Sequence, residues 1–101
     1  MNIISTPLAQ EARRVAIPLG KSCDYLNISY MKDNVFLSAS RGNESINIEI
    51  FQSDDGRFSC YARTYITKGK NPVLKESLLE EGSIGALGAI VRQYLDKRKA
   101  A

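Results

Sequence analysis

Residues 45–67 read SINIEIFQSDDGRFSCYARTYIT, in which two alternating runs stand on either side of a polar turn. The first run places Ile46, Ile48 and Ile50 on one side of the chain. The second run has an apolar side made of Phe58, Cys60, Ala62 and Ile66. Apolar side chains at every second position, around an Asp-Asp-Gly turn, are typical of a β-hairpin. We therefore predict two strands here, joined by a loop at residues 53–56.

Two more alternating runs precede this hairpin, at residues 24–31 and 35–40. The short connections at residues 32–34 and 41–43 have the composition of turns. Strands joined by short turns form an antiparallel meander. We therefore predict a four-stranded antiparallel sheet over residues 24–67, with one apolar face that must be covered and one face of mixed composition.

Helices are predicted at both ends of the sheet. Residues 6–17 form a short N-terminal helix that starts at Thr6-Pro7 and ends before Pro18, and residues 1–5 form a tail or at most a short strand. Residues 72–98 form a helical region, broken near Gly82 and restarted at Ser83. Its second part has the best amphipathic stripe of the chain, formed by Ile84, Leu87, Val91 and Tyr94 with support from Ile90 and Leu95.

The expected fold class is therefore α+β: a four-stranded meander with the C-terminal helix packed on its apolar face. A chain of 101 residues that is 44% hydrophobic suits one domain, 1–101, with one core. No run of about 18 apolar residues occurs, so we expect no membrane-spanning helix. The first residues lack the features of an export signal, and we expect a cytoplasmic protein. The net charge of +3 permits a polyanionic partner without requiring one.

The residues needed for catalysis are scarce. The chain has no His, and its two cysteines, Cys23 and Cys60, are too far apart in sequence for a metal-binding pair. Asp54 and Asp55 are adjacent carboxylates, but they occupy the hairpin loop, where turn geometry explains them. No phosphate-binding loop, dinucleotide fingerprint or nucleophile elbow occurs. We expect no enzymatic activity, no cofactor, no metal and no small-molecule substrate.

The mixed face of the sheet is the best candidate for a working surface. The alternation places many aromatic side chains on it, together with Arg63: these are Tyr25, Phe36, Phe51, Tyr61 and Tyr65. So many rings on a bare sheet face require a cover. Three covers are open: the N-terminal helix, another protein or a second copy of this chain, and single-stranded nucleic acid, whose bases stack on aromatic rings.

The order of elements, four meandering strands followed by a helix, resembles the positive-cofactor-four class of single-stranded-DNA-binding coactivators. The resemblance is architectural, and no site residue follows from it. We expect a non-enzymatic protein that binds another macromolecule, more readily a protein than a nucleic acid. Inhibitors and adaptors, including those carried by phages and mobile elements, are small proteins of this size without catalytic residues. The alternative is a nucleic-acid-binding protein that uses Tyr61, Arg63, Tyr65, Lys68 and Lys70.

Overall fold

The computed structural model describes residues 6–53, 55, 57–82 and 84–100. Its elements in chain order are α1 (Thr6–Ser22), β1 (Tyr25–Tyr30), β2 (Asn34–Arg41), β3 (Glu44–Gln52), β4 (Phe58–Lys68), β5 (Asn71–Gly82) and α2 (Ile84–Ala100). The strands form one antiparallel sheet in the order β1-β2-β3-β4-β5. The predicted α+β class and antiparallel meander are confirmed, but the strand count is five rather than four.

The predicted tail, the helix restart at Ser83, and the loop residues Asp54 and Gly56 lie outside the described residues. The order of elements also departs from four strands followed by a helix. A helix precedes the sheet, and a fifth strand follows the predicted four.

Both helices pack on the same face of the sheet. α1 lies over β1, β2 and β3, α2 lies over β4 and β5, and the two helices contact each other. Most alternate apolar residues of the three central strands are buried beneath them: Val35, Leu37, Ala39, Ile46, Ile48, Ile50, Cys60 and Ala62. Phe58 and Ile66, predicted on the same side of β4, are half-buried. The helices add Leu8, Ala12, Val15, Ala16, Leu19, Leu87, Val91, Tyr94 and Leu95. The core therefore lies between one sheet face and two helices.

α1 is longer than predicted, because it continues through Pro18 and Gly20 to Ser22. Proline removes one backbone hydrogen bond from a helix and normally ends it. Here Leu19 is fully buried in the core, and Cys23 N donates to Leu19 O over 2.9 Å, so the last turn is closed. Burial of a leucine side chain contributes about 1.5–3 kcal/mol, which offsets much of the cost of the proline.

The largest error concerns residues 71–82, which we predicted as the first part of a helical region and which form strand β5. The pairing of β4 with β5 contains three register shifts, at Cys60/Ala62, Ala62/Arg63 and Thr64/Tyr65. Each shift inserts an extra residue and breaks the period-two pattern. The leucines of β5 consequently recur at a spacing that imitates a helix, although the segment pairs along the length of β4.

The amphipathic stripe predicted for α2 is confirmed where side chains are described, since Leu87, Val91 and Tyr94 are buried. The hydroxyl of Tyr94 donates to Glu44 Oε1 over 2.7 Å. Lys75 Nζ lies 3.4 Å from Glu44 Oε2. Glu44 therefore ties the start of β3 to both α2 and β5.

Candidate interaction face

The side of the sheet away from both helices is called the open face below. It carries Tyr25, Asn27 and Ser29 of β1; Asn34, Phe36, Ser38 and Ser40 of β2; Ser45, Asn47, Glu49 and Phe51 of β3; Ser59, Tyr61, Arg63 and Tyr65 of β4; and Leu74, Ser77 and Glu80 of β5. Most of these side chains are half-buried or exposed. Because α1 packs on the opposite face, the expectation that the N-terminal helix could cover these rings is wrong.

A polar row crosses the middle of the open face. The strand register places Asn27, Ser38, Asn47, Arg63 and Ser77 side by side, one from each strand. Ser38 Oγ donates to Asn47 Oδ1 over 3.0 Å. Apart from Arg63, the side chains of this row are short amides and hydroxyls, so the centre of the open face does not protrude. All five side chains provide hydrogen-bonding groups.

Three rings lie on one side of this row and are called the aromatic cluster below: Phe51 and Tyr61 are in contact, and Phe36 is on β2, separated from Tyr61 by Glu49. The register places Phe36 opposite Glu49, and Glu49 opposite Tyr61. The rings of Phe51 and Tyr61 are 5.9 Å apart between centroids and inclined by 47°. This distance lies in the favourable range for aromatic pairs. The alternation along residues 35–40 and 45–67 placed these rings on one face of the sheet, and the register agrees.

Glu49 fixes the position of Tyr61. The Tyr61 hydroxyl donates to Glu49 Oε1 over 2.8 Å, and Asn34 Nδ2 donates to Glu49 Oε2 over 2.6 Å. Partial burial and this hydrogen bond to Glu49 raise the pKa of Tyr61 to about 12. The hydroxyl therefore stays protonated and remains a donor, while both carboxylate oxygens of Glu49 are engaged.

Arg63 joins the polar row to the aromatic cluster. Its guanidinium lies 4.3 Å from the centroid of the Tyr61 ring, in cation–π contact. Its Nε and Nη2 atoms donate to the two carboxylate oxygens of Glu80, each over 3.0 Å. Ser77 Oγ donates to Glu80 Oε1 over 2.7 Å. The hydrogen bonds from Arg63 and Ser77 hold the pKa of Glu80 below its ordinary value. The positive charge of Arg63 is thus paired within the face.

The other predicted site residues lie further out. Tyr65 stands opposite Ser45 and Leu74, and Leu74 is 54% exposed. Tyr25, 61% exposed, lies on the edge strand β1, about 14 Å from β4 at the usual strand spacing. Lys68 ends β4, and Lys70 follows it in the turn that contains Gly69 at φ +64°. The structure therefore brings Phe36, Phe51, Tyr61 and Arg63 together, places Tyr65 nearby, and leaves Tyr25, Lys68 and Lys70 at the margins.

Five residues of the open face were not predicted from the sequence: Asn34, Glu49, Leu74, Ser77 and Glu80. Glu49 could have been found, since it alternates with Ile48 and Ile50 and must face away from the core. Asn34 was assigned to a turn. The other three lie in the segment that was predicted to be helical, so no pattern pointed to their place on the sheet.

The described residues show little reactive chemistry. Cys60 is buried in the core, and burial raises the pKa of its thiol to about 11, so it is a packing residue and not a nucleophile. Within the described ranges, no group of three or more His, Cys, Asp or Glu residues could hold a metal ion. In the same ranges, no helix has the length and apolar character needed to cross a membrane.

A separate groove of about 470 Å³ lies between α1 and α2. Its charged side chains are Arg14, Lys21, Arg92 and Asp96. Arg14 also pairs with Glu11 over 3.4 Å. None of the site residues predicted from the sequence lines this groove, so it is independent of the open face.

No protein-family model, curated protein or solved structure matches this chain.

Proposed function

We propose that this chain is a non-enzymatic protein-binding module, of the inhibitor or adaptor type, and that its open face is the docking surface. The observation that carries the proposal is the aromatic cluster of Phe36, Phe51 and Tyr61, which neither helix covers. Aromatic residues and Arg are enriched in the cores of protein interfaces and contribute much of the binding energy there.

The open face is also held in a fixed shape before any partner arrives. Glu49 holds Tyr61 and Asn34, and Glu80 holds Arg63 and Ser77. Binding normally costs about 0.5–1.5 kcal/mol for each flexible side chain that becomes immobile. Side chains that are already hydrogen-bonded to one another avoid much of this cost, which favours a docking role for the face.

The chemistry of the face indicates what kind of partner fits it. The aromatic cluster suits an apolar anchor, and the polar row that contains Asn47 suits a neighbouring strip of backbone or side-chain polar groups. The charges of Arg63 and Glu80 neutralise each other. We therefore expect a protein surface with an apolar centre and few charges rather than a polyanion.

The nucleic-acid alternative has weaker support. One side of the Tyr61 ring is taken by Arg63, whose charge is already paired with Glu80. Glu49 and Glu80 would repel phosphate groups. Lys68 is the last residue of β4 and Lys70 lies in the turn that follows, so neither is beside the aromatic cluster.

Site-directed photocrosslinking tests the proposal. A photoreactive phenylalanine analogue is introduced at Tyr65 on the open face, and at Ile17 on α1 as the control, because Ile17 is also strongly exposed at 58%. We expect a discrete protein adduct from position 65 and none from position 17. The captured protein is then purified, and Phe36→Ala and Tyr65→Ala should each weaken its binding by about tenfold or more, as losses at interface cores do. Ile17→Ala should leave it unchanged.

Equal adducts from both positions, or binding that Phe36→Ala and Tyr65→Ala leave intact, would show that the open face is not the docking surface. Titration of a fluorescent single-stranded oligonucleotide at two salt concentrations distinguishes the alternative. Binding that weakens steeply with salt and disappears in Tyr61→Ala and Arg63→Ala would overturn the proposal in favour of a nucleic-acid partner.

A further inference from the structure

The two edges of the sheet are protected to different degrees. An exposed edge strand is a template for pairing with another chain, and proteins usually block it with proline, charge or bulges. β5 has all three: Pro72, Lys75 and the register shifts against β4. β1 reads YLNISY, with no proline, no charged residue and no register shift in its pairing with β2. β1 is thus the unprotected edge of the described sheet.

The outward backbone groups of β1 can be assigned from the ladder. Met31 N donates to Asn34 O over 2.9 Å in the register of β1 with β2, so residue 31 points its backbone groups toward β2. Asp24 N, before the strand begins, donates to Ser40 O over 2.9 Å and lies one residue out of this register, so the alternation is counted from Met31. Alternate residues of an antiparallel strand point in opposite directions. The N–H and C=O groups of Leu26, Ile28 and Tyr30 consequently point away from the sheet and are available to another strand.

We propose that β1 is a homodimerisation edge, on which the β1 strand of a second copy pairs antiparallel about a twofold axis at Ile28. In this register Ile28 pairs with its own counterpart, and Leu26 pairs with Tyr30 of the second copy. Every outward backbone group of these three residues then has a partner. The inference goes beyond the proposed function, because it concerns the edge of the sheet and not its open face.

The same register covers exposed apolar side chains. Tyr25 is 61% exposed, Met31 53% and Tyr30 43%, and all three belong to β1 or its following turn. Pairing about Ile28 places Tyr25 opposite Met31 of the second copy on the open-face side. It places Tyr30 opposite Leu26 on the helix side. Cross-strand aromatic and aliphatic pairs of this kind stabilise antiparallel sheets.

The charges at the ends of the strand fit this register as well. Asp24 precedes β1 and Lys32 follows it, and both are exposed. Pairing about Ile28 sets Asp24 opposite Lys32 of the second copy, at both ends of the joint strand. A twofold axis at Asn27 would instead place Tyr25 opposite Ser29 and Asp24 opposite Tyr30. Both the apolar pair of Tyr25 with Met31 and the charge pair of Asp24 with Lys32 would then be lost. The sequence of this edge is therefore complementary to itself in one register.

A charge exchange tests the register. Asp24→Lys and Lys32→Asp each place like charges opposite one another at both ends of the pair. We expect the wild-type chain to show a dimer mass by sedimentation and light scattering, and each variant alone to dissociate with a constant raised by roughly tenfold or more. An equimolar mixture of the two variants should regain the dimer, because the lysine introduced in one copy then lies opposite the aspartate introduced in the other.

The control is Lys70→Asp, which makes the same change of charge in the exposed turn before β5 and should leave the dimer intact. Asp24→Lys also removes a hydrogen bond from Gly42 N to Asp24 Oδ2. Regained association in the mixture distinguishes loss of pairing from loss of folding.

Amide hydrogen exchange provides a second readout. The amides of Leu26, Ile28 and Tyr30 should exchange more slowly as protein concentration rises, while those of β5 stay unchanged. A monomer mass at every concentration, or a dimer that neither charge variant weakens, overturns the inference. Neither result bears on the open face, whose variants Phe36→Ala and Tyr65→Ala should leave the dimer mass unaltered.

Discussion

The two faces of the sheet are built from the same strands and differ sharply in burial. On β2, Val35, Leu37 and Ala39 are buried under the helices, while the intervening Phe36 and Ser38 lie half-buried on the open face. Alternation along a strand separates the two sets completely. Substitutions on one face should therefore alter folding stability, and substitutions on the other should alter binding.

The largest expected effect comes from the buried face. Ile48→Ala, at the centre of β3, should lower the free energy of unfolding by about 2–5 kcal/mol, because it leaves a cavity in a tightly packed core. Its neighbour Asn47→Ala, on the open face, should cost about 0.5–1.5 kcal/mol for the lost hydrogen bond with Ser38. Urea unfolding followed by circular dichroism measures both, and equal losses would contradict the separation of the faces.

An effect of intermediate size on the free energy of unfolding should appear at high pH, and it concerns Tyr61 on the open face. Partial burial and the bond to Glu49 raise the pKa of Tyr61 to about 12 in the folded chain, against about 10 in an unfolded one. The folded state binds the Tyr61 proton more tightly than the unfolded state does. The contribution of Tyr61 to the free energy of unfolding is therefore complete below about pH 10 and is lost as the pH rises toward 12.

The stability difference between the wild type and Tyr61→Phe, measured by urea unfolding across this range, isolates the contribution. It should decline from pH 10 to 12, and Glu49→Gln should reduce the decline. A difference that does not vary with pH would mean that Tyr61 is not held as described.

The smallest effect on stability should come from Arg63→Lys. Lysine keeps the charge but cannot bind Glu80 through two parallel hydrogen bonds. Because both side chains are substantially exposed, the change in urea midpoint should be smaller than that of Asn47→Ala. It should vanish in about 1 M salt, where charges are screened within about 3 Å. Partner binding, by contrast, should fall measurably, and an unaltered affinity would remove Arg63 from the docking surface.

The sequence predicted best where alternation was uninterrupted. Ile46, Ile48 and Ile50 defined β3 and its buried side, and the rings of Phe51 and Tyr61 followed on the other side. β5 was not predicted, because its bulges interrupt the period-two pattern on which strand predictions depend. The ion pair of Arg63 with Glu80 was not predicted either, because Glu80 lies on β5.

The place of α1 could not be predicted for a different reason. The apolar stripe of the predicted helix, which contains Leu8, Ala12 and Val15, indicates that one side of the helix is buried. Such a stripe fits any apolar surface of suitable width, and the aromatic side of the sheet was one such surface. The contacts of both helices with the strands, through one shared core, show that α1 and α2 lie on the other side.

The contact between the first and last helices also has a consequence for synthesis of the chain. Until α2 has left the ribosome, β4 and β5 have no cover on their apolar side, and α1 lacks one of its neighbours. Partly covered sheets of this kind are prone to aggregate. We expect a polypeptide cut before α2 to leave this apolar side exposed, to depend on chaperones and to stay sensitive to protease, and the polypeptide that includes α2 to become protease-resistant.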